Sequence, residues 1–254
     1  MQGILYVSHG SRIREARQEA VSCIQSVIGN VNFPLQEMCF LELAAPTVEQ
    51  GIDRLVNRGA TAISVIPVLL LSAGHYYHDI PEELRAAKAK YPDIHWTYGK
   101  PLGVQDRFID VLAERIQETG APANDDAKIM LVGRGSRHPD TIRDIQEIGG
   151  KLRRQTGFAQ VDICFLAACG PTFDEALKTS IAEDHSQVFV VPYLWFTGVL
   201  MRSIREKLSA VNVAVKKQFI CCNQLGSHAL MQRALAERVY ESVHFDEFVS
   251  PRGA

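Results

Sequence analysis

An internal repeat organises this chain: one sequence pattern occurs twice at a constant offset of 125 residues, as from Cys39 to Cys164. The matched segments are Ser8-His9-Gly10-Ser11-Arg12 with Gly133-Arg134-Gly135-Ser136-Arg137, Cys39-Phe40-Leu41-Glu42 with Cys164-Phe165-Leu166-Ala167, Pro46-Thr47 with Pro171-Thr172, and Val65-Ile66-Pro67 with Val190-Val191-Pro192. Two copies in a chain of 254 residues indicate two similar domains. We assign residues 1–120 to the first domain and 127–254 to the second, with a polar linker between them.

Each copy alternates short apolar segments with longer amphipathic ones. The predicted strands are 4–7, 35–40, 62–71, 94–98, 128–132, 161–166, 188–196 and 213–222, and the helical patterns of the first copy are 11–29, 46–58, 81–90 and 105–119. The third strand is apolar at consecutive positions, as expected when helices cover both faces of a parallel sheet. The pattern therefore predicts an α/β protein of two similar lobes, each a four-stranded parallel sheet with flanking helices, and an active-site cleft between the lobes.

Composition excludes several classes of protein. The formal net charge of −2 lacks the basic balance that nucleic-acid-binding domains usually carry. The longest apolar run, 65–71, is much shorter than the ~20 residues of a membrane-spanning helix. The N-terminus has no signal-peptide pattern, and the six cysteines include no C-x-x-C pair. We therefore expect a cytoplasmic protein with no nucleic-acid or membrane partner.

The two copies differ at the positions that carry chemistry. His9, Glu42 and His75 of the first copy lie opposite Arg134, Ala167 and Leu200 of the second. One copy therefore holds two imidazoles and a carboxylate, and the other holds none of these groups. Such a difference is typical of a duplicated scaffold in which one copy keeps a metal site.

His9, Glu42 and His75 each follow a different predicted strand. Loops after parallel strands open at the same edge of the sheet, where the ligand sites of open α/β sheets lie. If the second and third strands flank the first, the three side chains become neighbours in space. Two histidines and a carboxylate suit Fe²⁺, Co²⁺, Ni²⁺ or Zn²⁺, and three protein ligands leave positions open for a reacting partner.

Each of these residues alone has a simpler interpretation. His9 and its neighbouring serines could cap the first helix, and Glu42 at a strand end could be a solvated charge. His75 has a competitor in His78, three residues further on. These separate interpretations do not explain why all three residues are missing from the second copy. We therefore predict one metal site composed of His9, Glu42 and His75.

With these positions and their flanks, the chain resembles the class II chelatases, specifically the long, two-lobed sirohydrochlorin chelatases. The motifs are Ser8-His9-Gly10-Ser11, Phe40-Leu41-Glu42 with Pro46-Thr47, and Gly74-His75 with Asp79-Ile80-Pro81. The resemblance covers essentially the whole chain. It implies ATP-independent insertion of Fe²⁺ into sirohydrochlorin, which gives sirohaem and releases two protons. It also implies that His9, Glu42 and His75 bind the metal and catalyse its insertion.

The resemblance implies the partners as well. The divalent metal, Fe²⁺ or Co²⁺, is then a substrate, and no permanent cofactor is expected. Sirohydrochlorin is flat, apolar on its faces and ringed by carboxylates, so we expect the second lobe to supply an apolar wall at Trp195 and a cationic rim. The rim candidates are Arg134, Arg137, Arg202 and Arg205. Because short members of the family pair two single lobes, we expect this duplicated chain to be a monomer.

Two alternative functions stay open at this point. The ligand types do not distinguish Fe²⁺ from Co²⁺, so a cobaltochelatase of cobalamin synthesis is the alternative within the same class. A non-catalytic carrier of metal or tetrapyrrole is the alternative from a different class. A carrier would more often use cysteine thiolates or a methionine cluster, and the sequence has neither arrangement.

Overall fold

In a computed structural model, which describes residues 1–245 and Phe248, the chain forms two four-stranded parallel sheets. The strands of the first sheet are β1 (Gln2–Ser8), β2 (Leu35–Phe40), β3 (Ala62–Val68) and β4 (His95–Tyr98), and the helices that follow them are α1 (Arg14–Asn30), α2 (Val48–Asn57), α3 (Ile80–Lys90) and α4 (Asp106–Gln117). The strand order is β2-β1-β3-β4. The second and third strands therefore flank the first, as the sequence analysis required for a common site.

The second sheet repeats this topology. Its strands are β5 (Lys128–Gly133), β6 (Val161–Phe165), β7 (Gln187–Tyr193) and β8 (Gln218–Cys221), and its helices are α5 (Pro139–Thr156), α6 (Phe173–Ala182), α7 (Val199–Ala214) and α8 (Ala229–Val243). The order β6-β5-β7-β8 matches that of the first sheet strand for strand. The predicted α/β class, with two similar four-stranded parallel lobes, is confirmed.

The central strands of both sheets are buried on two faces. Residues 3–8 of β1 and 63–68 of β3 are all buried, and every residue of β5 and β7 is buried too. Helices on both faces of a parallel sheet produce this consecutive burial. It explains why these segments read as uninterrupted apolar runs rather than as alternating ones.

The chain divides into two compact units. The first unit comprises Met1–Gly103 and the segment that begins at Met231, and the second unit comprises Val104–Leu230. Helix α4 therefore belongs to the second unit, and nearly all of α8 belongs to the first. The ranges 1–120 and 127–254 describe the repeats of the sequence, whereas each compact unit contains the fourth helix of the other repeat.

Polar contacts hold each of these two helices in its unit. On α5 in the second unit, Lys151 Nζ lies 2.7 Å from Asp106 Oδ1 at the start of α4. In the first unit, the Arg238 guanidinium of α8 donates to the carbonyl oxygens of Pro101 and Leu102, at 2.9 Å and 2.8 Å. Local strand and helix patterns carry no information about such long-range contacts, so the sequence repeat did not reveal the exchange.

One predicted strand is wrong at its start. The sequence predicted a strand over 213–222, but α7 continues to Ala214 and β8 is only Gln218–Cys221. Val213 is 89% exposed and packs in no sheet. Asn212 in α7 makes two side-chain hydrogen bonds with the backbone of Phe219, at 2.8 Å and 2.9 Å. The alternating valines before β8 resemble a strand, but Val213 lies on the exposed last turn of α7, whereas Val211 and Val215 pack against the core of the second unit.

No helix among residues 1–245 combines the length and the apolar character needed to cross a membrane.

Candidate metal centre

The three predicted ligands lie at the carboxyl edge of the first sheet. Strand β1 ends level with its neighbours, because Ser8 pairs with Phe40 on one side and with Val68 on the other. His9 follows β1 directly, Glu42 lies two residues beyond β2, and His75 opens a π-helical turn after β3. The level strand ends therefore bring three residues that are far apart in the sequence to one edge.

The loops that carry His9 and Glu42 are tied together through their backbones. The amide of Glu42 donates to the carbonyl oxygen of His9 at 3.1 Å, and the amide of Leu41 donates to that of Ser8 at 2.8 Å. Gly10, which follows His9, has a φ of +95°, and a Cβ on this residue would lie 1.8 Å from the carbonyl oxygen of Glu42. Only glycine fits here, because the conformation is left-handed and the space for a side chain is absent.

The donor atoms of His9, Glu42 and His75 lie within 4.8 Å of one another. His9 Nε2 is 3.1 Å from Glu42 Oε1, and the two imidazole rings meet edge to face with centroids 4.7 Å apart. Metal–ligand bonds of about 2.0–2.2 Å require ligand atoms roughly 3–3.5 Å apart in a tetrahedral site. The His9–Glu42 pair already has this spacing, and the whole group lies within 4.8 Å. The side chains are 27–50% exposed, so a metal ion can reach them from solvent.

Hydrogen bonds leave the same nitrogen available on both histidines. His9 Nδ1 lies 3.0 Å from the carbonyl oxygen of Gly10, which can only accept, so Nδ1 carries a proton. His75 Nδ1 lies 2.5 Å from Asp79 Oδ2 and donates in the same way when the carboxylate is ionised. Nε2 of each ring is then the nitrogen whose lone pair is available to a metal ion. His9 Nε2 faces the Glu42 carboxylate at 3.1 Å, a spacing that suits two ligands of one metal ion.

The π-helical turn that carries His75 is held by the buried side chain of Tyr98. The Tyr98 hydroxyl donates to the carbonyl oxygen of Tyr76 at 3.0 Å, and the two rings stack with centroids 5.0 Å apart. Burial, with smaller contributions from Tyr76 and Asp79, raises the pKa of Tyr98 well above its usual range. Its hydroxyl therefore stays protonated and keeps this hydrogen bond. Single π-helical turns are rare and often occur at functional sites.

A shallow pocket of about 310 Å³ opens beside His75, and its lining is mainly acidic. The lining residues are Leu41, Glu42, His75, Asp79, Glu82 and Glu83. Sequence reasoning assigned no role to Asp79, although its i,i+4 spacing from His75 was a usable signal. The competing histidine, His78, is exposed and lies outside the group of donor atoms.

The second unit places apolar or cationic residues where the first has the three predicted ligands. Arg134 is exposed directly after β5, and the amide of Ala167 donates to its carbonyl oxygen at 3.0 Å, as Glu42 does to His9. Leu200 lies at the start of α7. Helix α5 begins at Pro139 and is capped by His138, so Arg134 lies in the loop before the helix and not at its first turn. The side chain of His138 accepts from the Asp140 amide and sets that start.

The other predicted substrate-binding residues differ in accessibility. Arg137, Arg202 and Arg205 are exposed, and Arg205 Nη2 donates to Asn223 Oδ1 at 3.2 Å. Trp195 is buried, with 6% of its surface exposed, and it stacks on Phe196. Little of its indole is therefore available to a ligand. Phe196 is half-buried and offers more apolar surface at the same place.

The fold and the site define the class of protein. Two parallel α/β units of the same strand order, one with two histidines and a carboxylate at its carboxyl edge, match the resemblance inferred from the motifs. The chain belongs to the CbiX family, whose model matches it twice, over residues 3–119 and 128–242. The double match also confirms the internal repeat.

Relatives of known activity align along nearly the whole chain. It is 44% identical to the sirohydrochlorin ferrochelatase of Priestia megaterium, over 94% of this chain and 90% of the relative. It is 34% identical to the sirohydrochlorin cobaltochelatase of the same organism, over 96% and 80%. Among solved structures, SirB from Bacillus subtilis with Fe³⁺ superposes with a TM-score of 0.86 at 37% identity and covers 96% of both chains.

Proposed function

We propose that this protein is a sirohydrochlorin ferrochelatase, which inserts Fe²⁺ into sirohydrochlorin without ATP and gives sirohaem and two protons. The observation that carries the proposal is the accessible group of donor atoms of His9, Glu42 and His75 at one sheet edge. Family membership and the ferrochelatase relative at 44% identity support the substrate and the metal.

The three residues suit a metal ion that the protein binds and then transfers to the macrocycle. Permanent structural sites usually use four protein ligands, whereas three leave room for incoming pyrrole nitrogens. We propose that His9 Nε2, His75 Nε2 and the Glu42 carboxylate bind Fe²⁺ and exchange it for the macrocycle. Two pyrrole N–H protons must also depart. As the metal leaves, the freed imidazole nitrogens and carboxylate become available to accept these protons near neutral pH.

Substrate binding is assigned to the second repeat. We propose that Arg134, Arg137, Arg202 and Arg205 bind carboxylates of sirohydrochlorin, because a guanidinium pairs well with a carboxylate and all four side chains are exposed. Trp195 stays a predicted wall residue, with its neighbour Phe196 as the more accessible ring. The metal is a substrate in this scheme, and no permanent cofactor is required.

Two further properties are proposed with this function. We propose a monomer, because the duplication supplies within one chain what short relatives obtain by pairing. Sedimentation at micromolar concentration tests this, and a tight dimer contradicts it. We also propose a cytoplasmic location, in keeping with six free thiols, and cell fractionation tests that assignment.

A cobaltochelatase is the second candidate, because the cobaltochelatase relative aligns over 96% of this chain. One optical experiment separates the candidates. Protein is mixed anaerobically with excess sirohydrochlorin and either Fe²⁺ or Co²⁺, and the visible spectrum is followed over time. Metallation of many equivalents with Fe²⁺ as the faster metal supports the ferrochelatase, and faster turnover with Co²⁺ supports the alternative. Conversion of a single equivalent identifies a carrier and contradicts both enzymatic assignments.

A further inference from the structure

Asp79 forms the closest polar contact of the ligand His75. Its Oδ2 atom lies 2.5 Å from His75 Nδ1, one turn further along the same helical segment. The donor atoms that cluster for a metal ion come from His9, Glu42 and His75, and Asp79 lies outside that cluster. Its carboxylate therefore contacts His75 but is not one of the three candidate metal-binding side chains.

The position of Asp79 makes this contact informative. Asp79 is the N-cap residue of α3, where an aspartate side chain usually accepts from the first amides of the helix. Here it makes no capping hydrogen bond, and its backbone is helical, with φ −71° and ψ −50°. The π-helical turn continues directly into α3. Because the helical backbone runs on through Asp79, the start of α3 needs no side-chain cap, and the carboxylate contacts His75.

We propose that Asp79 is a positioning residue, which holds His75 in the tautomer with a proton on Nδ1 and directs Nε2 at the metal. A carboxylate oxygen accepts this proton in a hydrogen bond and thereby restrains the rotation of the ring. Metal-binding histidines commonly donate their second nitrogen to a carboxylate in this way, and the partner raises the basicity of the ligand. The inference rests on the metal centre of the proposed function and adds a residue to it.

The second repeat supports a coupling between Asp79 and His75. At the offset of 125 residues, His75 corresponds to Leu200 and Asp79 to Ile204. Both members of the pair are therefore replaced by apolar residues, and Ile204 is completely buried. The equivalent segment is also regular α-helix from Val199 onwards and has no π-helical turn. The carboxylate and the turn occur in the repeat that holds the histidine.

Anaerobic Co²⁺ titration of the metal-free protein, without tetrapyrrole, tests the proposal independently of chelatase activity. Asp79→Ala should weaken Co²⁺ binding by about 10- to 100-fold and alter the Co²⁺ visible spectrum, because the ring loses its orientation. Asp79→Asn keeps an accepting oxygen and should lose less affinity than Asp79→Ala. Glu82→Gln is the matched control, since it removes an exposed charge of the same pocket, whereas the hydrogen bond and ion pair of His75 are with Asp79, and it should change affinity by no more than about threefold.

The tautomer is read directly from long-range ¹H–¹⁵N spectra of the metal-free protein at a pH where His75 is neutral. Wild type should show the proton of His75 on Nδ1, and Asp79→Ala should shift the population towards Nε2–H. A wild-type protein with the proton on Nε2 overturns the proposal without any variant. Equal losses of Co²⁺ affinity in Asp79→Ala and Glu82→Gln overturn it too, because they indicate a general charge effect. Failure of wild type to bind Co²⁺ at all would remove the metal centre itself, and the proposed function with it.

Discussion

The carboxyl edges of the two sheets share a backbone and differ in chemistry. In both units the loop after the first strand contains a glycine with positive φ, at +95° for Gly10 and +89° for Gly135. In both, an amide of the next loop donates to the carbonyl before that glycine, at 3.1 Å and 3.0 Å. The first edge carries two imidazoles and a carboxylate, and the second carries Arg134 and apolar side chains. The same loop architecture therefore occurs with and without the three candidate ligands, so it does not depend on them.

The largest expected effect tests the chemical difference between the two edges. His9→Ala or His75→Ala should lower the rate of metal insertion on the order of 100-fold or more, because each loses a ligand and a proton acceptor. Glu42→Gln keeps the shape and removes the anion, and it should also be strongly impaired. Steady-state turnover with sirohydrochlorin measures this.

The control for these variants is His78→Ala. This exposed residue lies three positions from His75 but outside the donor group, so its turnover should stay within about twofold of wild type. Wild-type turnover by a folded His9→Ala protein would contradict the assignment of the metal centre.

The next effect tests the shared architecture. Gly10→Ala and Gly135→Ala should each lower the free energy of unfolding by about 2 kcal/mol or more, since a Cβ would lie 1.8 Å or 1.9 Å from a carbonyl oxygen in a left-handed conformation. Only Gly10→Ala should also weaken Co²⁺ binding. Denaturant unfolding and Co²⁺ titration measure the two effects separately.

Gly74→Ala is the control for the glycine variants. It has helical backbone angles and no atom within 4 Å of an added Cβ, so its stability should be unchanged or slightly higher. An equal loss of Co²⁺ affinity in Gly10→Ala and Gly135→Ala would mean that the two edges are not functionally distinct.

A smaller effect concerns the cation in the second unit. Arg134→Ala should raise KM for sirohydrochlorin by about 10- to 100-fold, as expected for the loss of a charge-assisted hydrogen bond to a carboxylate. Co²⁺ binding without tetrapyrrole should not change, and that measurement is the internal control. A loss of Co²⁺ affinity with an unchanged KM would contradict the role of the second repeat in binding the macrocycle.

The smallest effect compares two capping boxes. Thr47 with Gln50 begins α2, and Thr172 with Glu175 begins α6. Thr47→Ala and Thr172→Ala should each cost about 1 kcal/mol of unfolding free energy near neutral pH, because each removes an N-cap acceptor. Chemical denaturation of the two variants measures this difference from wild type.

The two capping-box variants should differ in the pH dependence of their stability loss. Hydrogen bonds from the Thr172 backbone and side chain hold the pKa of Glu175 below its usual value. Its contribution is therefore complete above the ordinary pKa of a glutamate, about 4.3, and is lost as the pH falls through its lower folded value. The loss of unfolding free energy caused by Thr172→Ala should become smaller as the pH falls through this range, while the loss caused by Thr47→Ala stays constant. Identical pH profiles would show that Glu175 does not take part in the box.

Sequence patterns predicted most of the fold because the repeat doubled the evidence for each strand. The strand 35–40 was predicted to the residue, and β1 was placed within two residues at its start and one at its end. The error at 213–222 arose where a helix end and a strand share a valine-rich pattern. The helix exchange of α4 and α8 was invisible, because it depends on contacts such as that of Arg238 with Pro101.

The sequence by itself determined that the fold is duplicated, that its sheets are parallel, and that His9, Glu42 and His75 occur in one copy. Strand and helix periods, and the identity of each residue, are local properties that a sequence states directly. Tertiary structure alone decided that donor atoms from these three loops lie within 4.8 Å of one another. It also decided that His75, and not His78, lies in this group, and that the Asp79 carboxylate contacts His75. These outcomes depend on strand order, on level strand ends and on one π-helical turn, which arise from burying both faces of the sheet together.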